Sequence, residues 1–165
     1  MRRYFALKKI DEALFKLLCW TCSGLMFSMM LLICVQVFFR YVLSASIPWS
    51  EELGRYIFIW MSFLGIVAVY YKGAHVAFDI LPNKLTGIYK KVLNVLIIVL
   101  TIILAVAILR SGIVMVGIGT MQRSPALSLP MHMVFMVLPT SGALLLYFSI
   151  RKLYTTVFDK EVKQP

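Results

Sequence analysis

The chain has 165 residues, of which 61% are hydrophobic and only 15% charged, with a formal net charge of +10. Roughly the reverse balance marks a soluble surface, so a water-soluble domain is excluded and an all-α integral membrane protein is indicated, one membrane domain over residues 1–165. The basic excess does not argue for nucleic acid, because Lys and Arg flank the apolar runs instead of gathering in one patch.

Residues 1–16 are basic and amphipathic. Leu7, Ile10, Leu14 and Leu17 recur at helical spacing, with Lys8, Lys9, Asp11, Glu12 and Lys16 on other faces. Two readings stand side by side: an interfacial amphipathic helix, or a helical extension of the first span. A cleaved signal peptide is not expected, because the apolar run that follows is too long and lacks a small-residue cleavage site.

The first span is expected over residues 17–39, about 34 Å as a helix and long enough to cross the hydrocarbon with some tilt. A polar elbow follows, with Pro48, Trp49, Ser50, Glu51 and Glu52 in succession. Ser50 is the expected N-cap of the second helix, and the two carboxylates face the positive end of its dipole. The second span is expected over 53–71, apolar except for Arg55, Ser62 and two glycines. The third covers about 92–112 and the fourth 131–150, with Pro130 at its start and Pro139 inside it as a kink.

Orientation follows from the basic residues. The N-terminal segment holds five Lys and Arg, the loop between spans two and three holds four, and the tail holds four. The opposite side has Arg40, Arg55, Arg110 and Arg123. Thirteen against four puts both termini in the cytoplasm and turns the elbow and the residues 111–129 outward.

No catalytic, cofactor or metal site emerges. Cys19 and Cys22 form a CxxC on the first span with Cys34 further along, but no further ligand lies nearby and small buried packing explains them. His75 and His132 fall at opposite membrane faces and cannot share a haem iron. Proton-coupled export needs a carboxylate within the membrane, yet every Asp and Glu lies near a span's end.

Helix faces suited to other helices are present instead. Gly54, Met61, Gly65 and Ala68 lie within about 60° of one another on the second helix, beside a polar strip of Glu51, Arg55 and Ser62. Asn94, Thr101, Ala105 and Gly112 share a face of the third. Small residues allow close approach and polar ones bond across it, within the chain or to a partner subunit.

These residues carry a resemblance. Phe39-Arg40-Tyr41, then Ile47 to Glu52, Arg55-Tyr56, Trp60, Phe63-Leu64-Gly65, His75 with Asp79, Ser124 to Leu127, Leu129-Pro130 and Pro139 resemble the small membrane subunit, DctQ type, of tripartite ATP-independent periplasmic (TRAP) transporters, over about residues 15–155. The resemblance implies a scaffold subunit in the bacterial inner membrane, bound stably to a large multi-span subunit and surrounded by lipid. The large subunit imports an organic acid with sodium, a carboxylate such as a C4-dicarboxylate or sialic acid, delivered by a periplasmic binding protein that docks transiently. The alternative from the residues alone is a self-sufficient homo-oligomeric transporter or channel.

Arg40, Trp49, Glu51, Glu52, Gly54, Arg55, Trp60, Ser62, Gly65 and Ala68 are the expected partner-subunit residues. Arg110, about 28 Å along the third helix from Lys91, is expected near the outer surface. With Arg123 it forms the expected docking surface for the binding protein, while His75 and Asp79 are expected to order the cytoplasmic loop. The topology is checked with reporters: one fused after Pro165 will report a cytoplasmic location and one inserted near Arg123 a periplasmic one. The reverse pattern would overturn the orientation.

Overall fold

The computed structural model describes residues 2–45, 47–72 and 88–158, with side chains for residues 9–45, 47–72 and 92–156. His75, Asp79 and the tail beyond residue 158 lie outside the described residues. The helices are α1 (Arg2–Val42), α2 (Pro48–Lys72), α3 (Ile88–Gly119), the short α4 (Met131–Phe135) and α5 (Val137–Phe158). Four stretches are long and apolar enough to span a membrane: Lys9–Val42, Pro48–Lys72, Val92–Gly119 and Met131–Thr156.

No break separates the amphipathic N-terminal segment from the first span. α1 is one helix of 41 residues, about 60 Å long and twice the thickness of a bilayer's hydrocarbon. The extension reading therefore holds over the separate interfacial helix. At its far end Ser44 takes a left-handed φ of 50° and the Ala45 N–H returns to the Phe39 carbonyl at 3.1 Å, which turns the chain into the elbow.

α2 starts three residues earlier than the capping pattern implies, at Pro48 where a Ser50 cap would open it at Glu51. Pro48 opens the helix, where its missing N–H costs nothing and its fixed φ suits the first turn. Ser50 is then inside the helix and not its cap. Its hydroxyl is fully buried and donates back to the Ile47 carbonyl at 2.8 Å.

The helices stand in a row. α1 packs on α2, α2 on α5, and α5 on α3, while among the described residues α1 and α3 do not meet. The α3–α5 contact is the tightest, because small residues bring the backbones together. A Cβ on Gly112 would fall 2.7 Å from the Pro139 nitrogen, and one on Gly142 would fall 2.9 Å from the Leu109 nitrogen. Ala105, fully buried, continues the same seam on the far side of Gly142, where the added Cβ would fall 3.2 Å from the Ala105 carbonyl oxygen. The helix-three face of Ala105 and Gly112 is thus consumed inside the chain.

Pro139 breaks the last span as the sequence indicates. Its ring cannot coexist with an undisturbed carbonyl of residue i−4, here Phe135, and α4 ends at that residue. Met136 bridges the break, donating to the His132 carbonyl at 3.0 Å and accepting from Thr140 N–H at 3.3 Å.

The core joins α1, α2, α3 and α5 through Leu18, Leu64, Val67, Tyr70, Ala105, Val137, Leu145 and Phe148. Next to it, Phe15 stacks on Tyr71 at 4.8 Å between ring centroids, and Tyr71 meets Phe148 at 5.0 Å. Beyond these rings Asp11 is buried. It accepts from the Tyr147 hydroxyl at 2.8 Å and pairs with the Arg151 guanidinium at 2.7 Å. The start of α1 and the end of α5 therefore lie at the same end of the molecule.

The glycine seam generates a stability test. Gly112→Ala and Gly142→Ala will each cost about 1–3 kcal/mol from overpacking against backbone atoms. At Gly24 an added Cβ would meet no heavy atom within 4 Å, so that position will tolerate Ala without the loss. Thermal midpoints of the purified protein in one detergent check the order.

Candidate functional site

The end of the helices remote from Asp11 and Arg151 is built around a folded loop, residues 120–130. Ser124 N–H donates to the Leu129 carbonyl at 2.9 Å, and Ser128 N–H to the Ser124 carbonyl at 3.0 Å. The buried Ser124 hydroxyl accepts from Leu129 N–H at 3.2 Å. Ser128 takes a φ of 53°, and Arg123 bridges to Pro130 in an antiparallel pairing. Met131 N–H donates to the Gln122 carbonyl at 3.0 Å, closing the loop onto the start of α4.

Glu52 holds this loop to α2. One carboxylate oxygen accepts from Ala126 N–H at 2.9 Å and Leu127 N–H at 3.1 Å. The other accepts from the Tyr56 hydroxyl, one helical turn along. The Met131 sulfur lies 3.4 Å from that same hydroxyl. Glu52 is only 8% exposed, so this carboxylate is committed within the chain and is not offered to a partner.

The remaining candidates divide by face. Glu51 and Arg55 are exposed, and with Phe58, the half-buried Ser62, Ile66 and Val69 they make the open side of α2. Gln36 of α1 donates to Glu51 at 3.4 Å. The neighbouring small stripe is partly used internally: a Cβ on Gly54 would lie 3.5 Å from Leu32 of α1, and Ala68 packs on the core. Gly65 has open space around it. Trp60 also packs on the core, whereas Trp49 is 42% exposed and Arg40 is exposed on the last turn of α1.

The two docking arginines separate. Arg123 is exposed on the loop, 3.5 Å from the Ser128 carbonyl. Arg110 departs from its expected position at the outer surface, because α3 does not end near residue 112. The helix runs nine residues past Arg110, to Gly119, which packs against His132. That puts Arg110 about 14 Å below the loop along the helix.

Sequence reasoning missed the anchors Asp11, Tyr56, Ser124, Tyr147 and Arg151. The spacing of Glu52 and Tyr56, one helical turn, was the one local signal; the others become visible only when distant helix ends meet. Among the described residues no group of three or more His, Cys, Asp or Glu is placed to hold a metal ion, and Cys19, Cys22 and Cys34 are free.

Four apolar helices, a row-like packing and a loop clamped at one end define a multi-pass membrane subunit with open helix faces. Residues 29–159 match the DctQ component of tripartite ATP-independent periplasmic transporters, and the chain belongs to that family. A protein of Haemophilus influenzae named as a TRAP transporter small permease is 26% identical over 137 residues, covering 83% of this chain and 85% of that one. A second such H. influenzae protein is 25% identical over 73% of this chain and 75% of its own length. The isethionate TRAP transporter permease protein DctMQ of Oleidesulfovibrio alaskensis is 27% identical over 128 residues, 73% of this chain but only 20% of that protein. The chain is a multi-pass protein of the bacterial inner membrane.

The clamp yields a direct test. Glu52→Ala removes the acceptor of two loop amides, and hydrogen exchange at Ala126 and Leu127 will accelerate by about tenfold or more. Glu52→Gln, which keeps one acceptor oxygen, will fall between. Exchange in Gly142 and its neighbours, held by the α3–α5 seam, will remain slow.

Proposed function

We propose that this chain braces the large membrane subunit of a sodium-coupled TRAP transporter and presents part of the outward surface on which its binding protein docks. The observation that carries this reading is the match to one fifth of the DctMQ permease. In that relative a segment like this chain shares a polypeptide with a much longer remainder, the arrangement expected of two permanently associated parts. The open face of α2, with Glu51, Arg55 and Ser62 among apolar side chains, supplies a surface for such a partner. Arg40, Trp49 and Gly65 extend it. Gly54, Trp60 and Ala68 support it from behind.

A cation-coupled carrier's own coupling site needs a carboxylate within the membrane. The described carboxylates Asp11, Glu12, Glu51 and Glu52 all sit toward helix ends, and Asp11 and Glu52 are engaged there. Transport chemistry therefore falls to the large subunit, and specificity to it and the binding protein. The cargo is a small organic acid, a carboxylate in the first instance; the isethionate named for the relative widens the class to sulfonates. Both termini face the cytoplasm and the Glu52 loop faces the periplasm.

The test is reconstitution. In liposomes, sodium-driven uptake will require this chain, the large subunit and the binding protein together; robust uptake by this chain alone would replace the scaffold reading with a homo-oligomeric carrier. Arg123→Glu will lower uptake at limiting binding protein, and the loss will shrink when that protein is in excess. Such behaviour fits a weak, salt-screened contact that forms and releases each cycle. Unchanged uptake at every binding-protein concentration and ionic strength would remove Arg123 from docking.

A further inference from the structure

Arg110 is the deepest charge among the described residues, and the packing of its neighbour fixes how deep. Leu109 lies against Gly142, within 3.0 Å of where a Cβ would stand there. Gly142 is eleven residues from Met131 at the outer start of the last span and nine from Arg151, the first charge toward its inner end. At 1.5 Å per residue both distances are about 14–16 Å, so Arg110 sits close to the middle of a hydrocarbon layer about 30 Å thick.

Its guanidinium is exposed on α3, and it has no hydrogen-bond or ion-pair partner among the described residues. The chain's own buried carboxylates are committed at the two ends, Asp11 to Tyr147 and Arg151, Glu52 to the loop and Tyr56. An extended arginine covers only about half the distance to either interface, so snorkelling alone does not return the charge to water. A cation at that depth is costly unless something outside the chain answers it.

The surface around Arg110 is shaped for a helix to approach. Ile103, Ala107, Val114 and Gly117 are exposed on the same side of α3, at spacings of three, four and seven residues from Arg110. No atom lies within 4 Å of a Cβ placed on Gly117, so nothing inside the chain requires its small size. Two small residues beside a cation leave a shallow groove whose centre is positively charged.

Resting on the assignment of this chain as the small subunit, we propose that Arg110 is its mid-membrane docking charge and pairs with a carboxylate on a transmembrane helix of the large subunit. The carboxylate is favoured over lipid because phosphate groups lie at the bilayer surface, some 14–16 Å away along the helix. It also fits the planar guanidinium with two parallel hydrogen bonds, a geometry that fixes helix register as well as affinity. In this arrangement the open face of α3 is a second contact surface, distinct from the open face of α2.

The test uses the co-expressed two-subunit complex in lipid nanodiscs, pulled down through a tag on this chain. Arg110→Leu and Arg110→Glu will lower the recovered large subunit by about tenfold or more, and Arg110→Lys will retain part of it. A photo-crosslinking benzoylphenylalanine in place of Val114 will mark a large-subunit segment that contains an Asp or Glu. Changing that acid to Arg will restore recovery with Arg110→Glu. Membrane levels of the singly expressed Arg110→Leu chain will equal or exceed wild type, because an unanswered charge has been removed. A drop in those levels would show a role within the chain's own fold and overturn the proposal. Full recovery of the large subunit with both Leu and Glu, or crosslinks to lipid alone, would overturn it in favour of a lipid-bound arginine. If even the wild-type chain recovers no large subunit, the small-subunit assignment fails instead.

Discussion

A carboxylate near one end of the helices organises that half of this protein. Glu52 collects two backbone N–H groups from the loop and the Tyr56 hydroxyl from its own helix. Loop amides beside hydrocarbon lack the water that would otherwise satisfy them, so a fixed acceptor decides where the loop can lie. The loop in turn sets Met131, and with it the entry of α4 into the membrane. Asp11 serves the opposite end, tying α1 to Tyr147 and Arg151 of α5. The two acids pin the row at both ends, while the buried core between them holds no charged side chain.

Between those pins the helices divide the labour. α3 and α5 approach through Ala105, Gly112 and Gly142, and the broken helix at Pro139 fits against Gly112. α2 contributes the residues of the central core and still leaves Glu51, Arg55, Phe58, Ile66 and Val69 uncovered. α1 buries almost none of its apolar length against the rest of the chain. A subunit of a larger membrane assembly has this balance: a specific internal seam, and long surfaces left to lipid or to another protein.

Much of this was legible in the residues. Uncharged runs located the four spans, and the elbow with its helix-start acids located the turn between the first two. Pro139 announced the break in the last. Three features were not legible, each for a physical reason. Ser50 reads as a cap, but Pro48 is a better opening residue and shifts the helix start upstream. Arg110 reads as a span's end because charges usually mark one, although the uncharged run after it leaves open the continuation that α3 makes to Gly119. The partners of Asp11 are 136 and 140 residues away, a pairing that only the packed helices create. Which glycines are internal and which open also depends on packing, since Gly142 and Gly117 are alike in sequence and opposite in surroundings.

The single-file order of α1, α2, α5 and α3 gives this subunit an unusual ratio of perimeter to area. Four helices closed into a ring hide much of their circumference; drawn out as a plank, they keep two broad sides facing outward. A plank can be covered on one side by protein and remain wetted by acyl chains on the other. It thereby enlarges the patch of bilayer that must deform if the assembly tilts, and it does so with little added mass. Bilayer thickness, acting along that whole edge, becomes a determinant of how firmly such a complex is held upright.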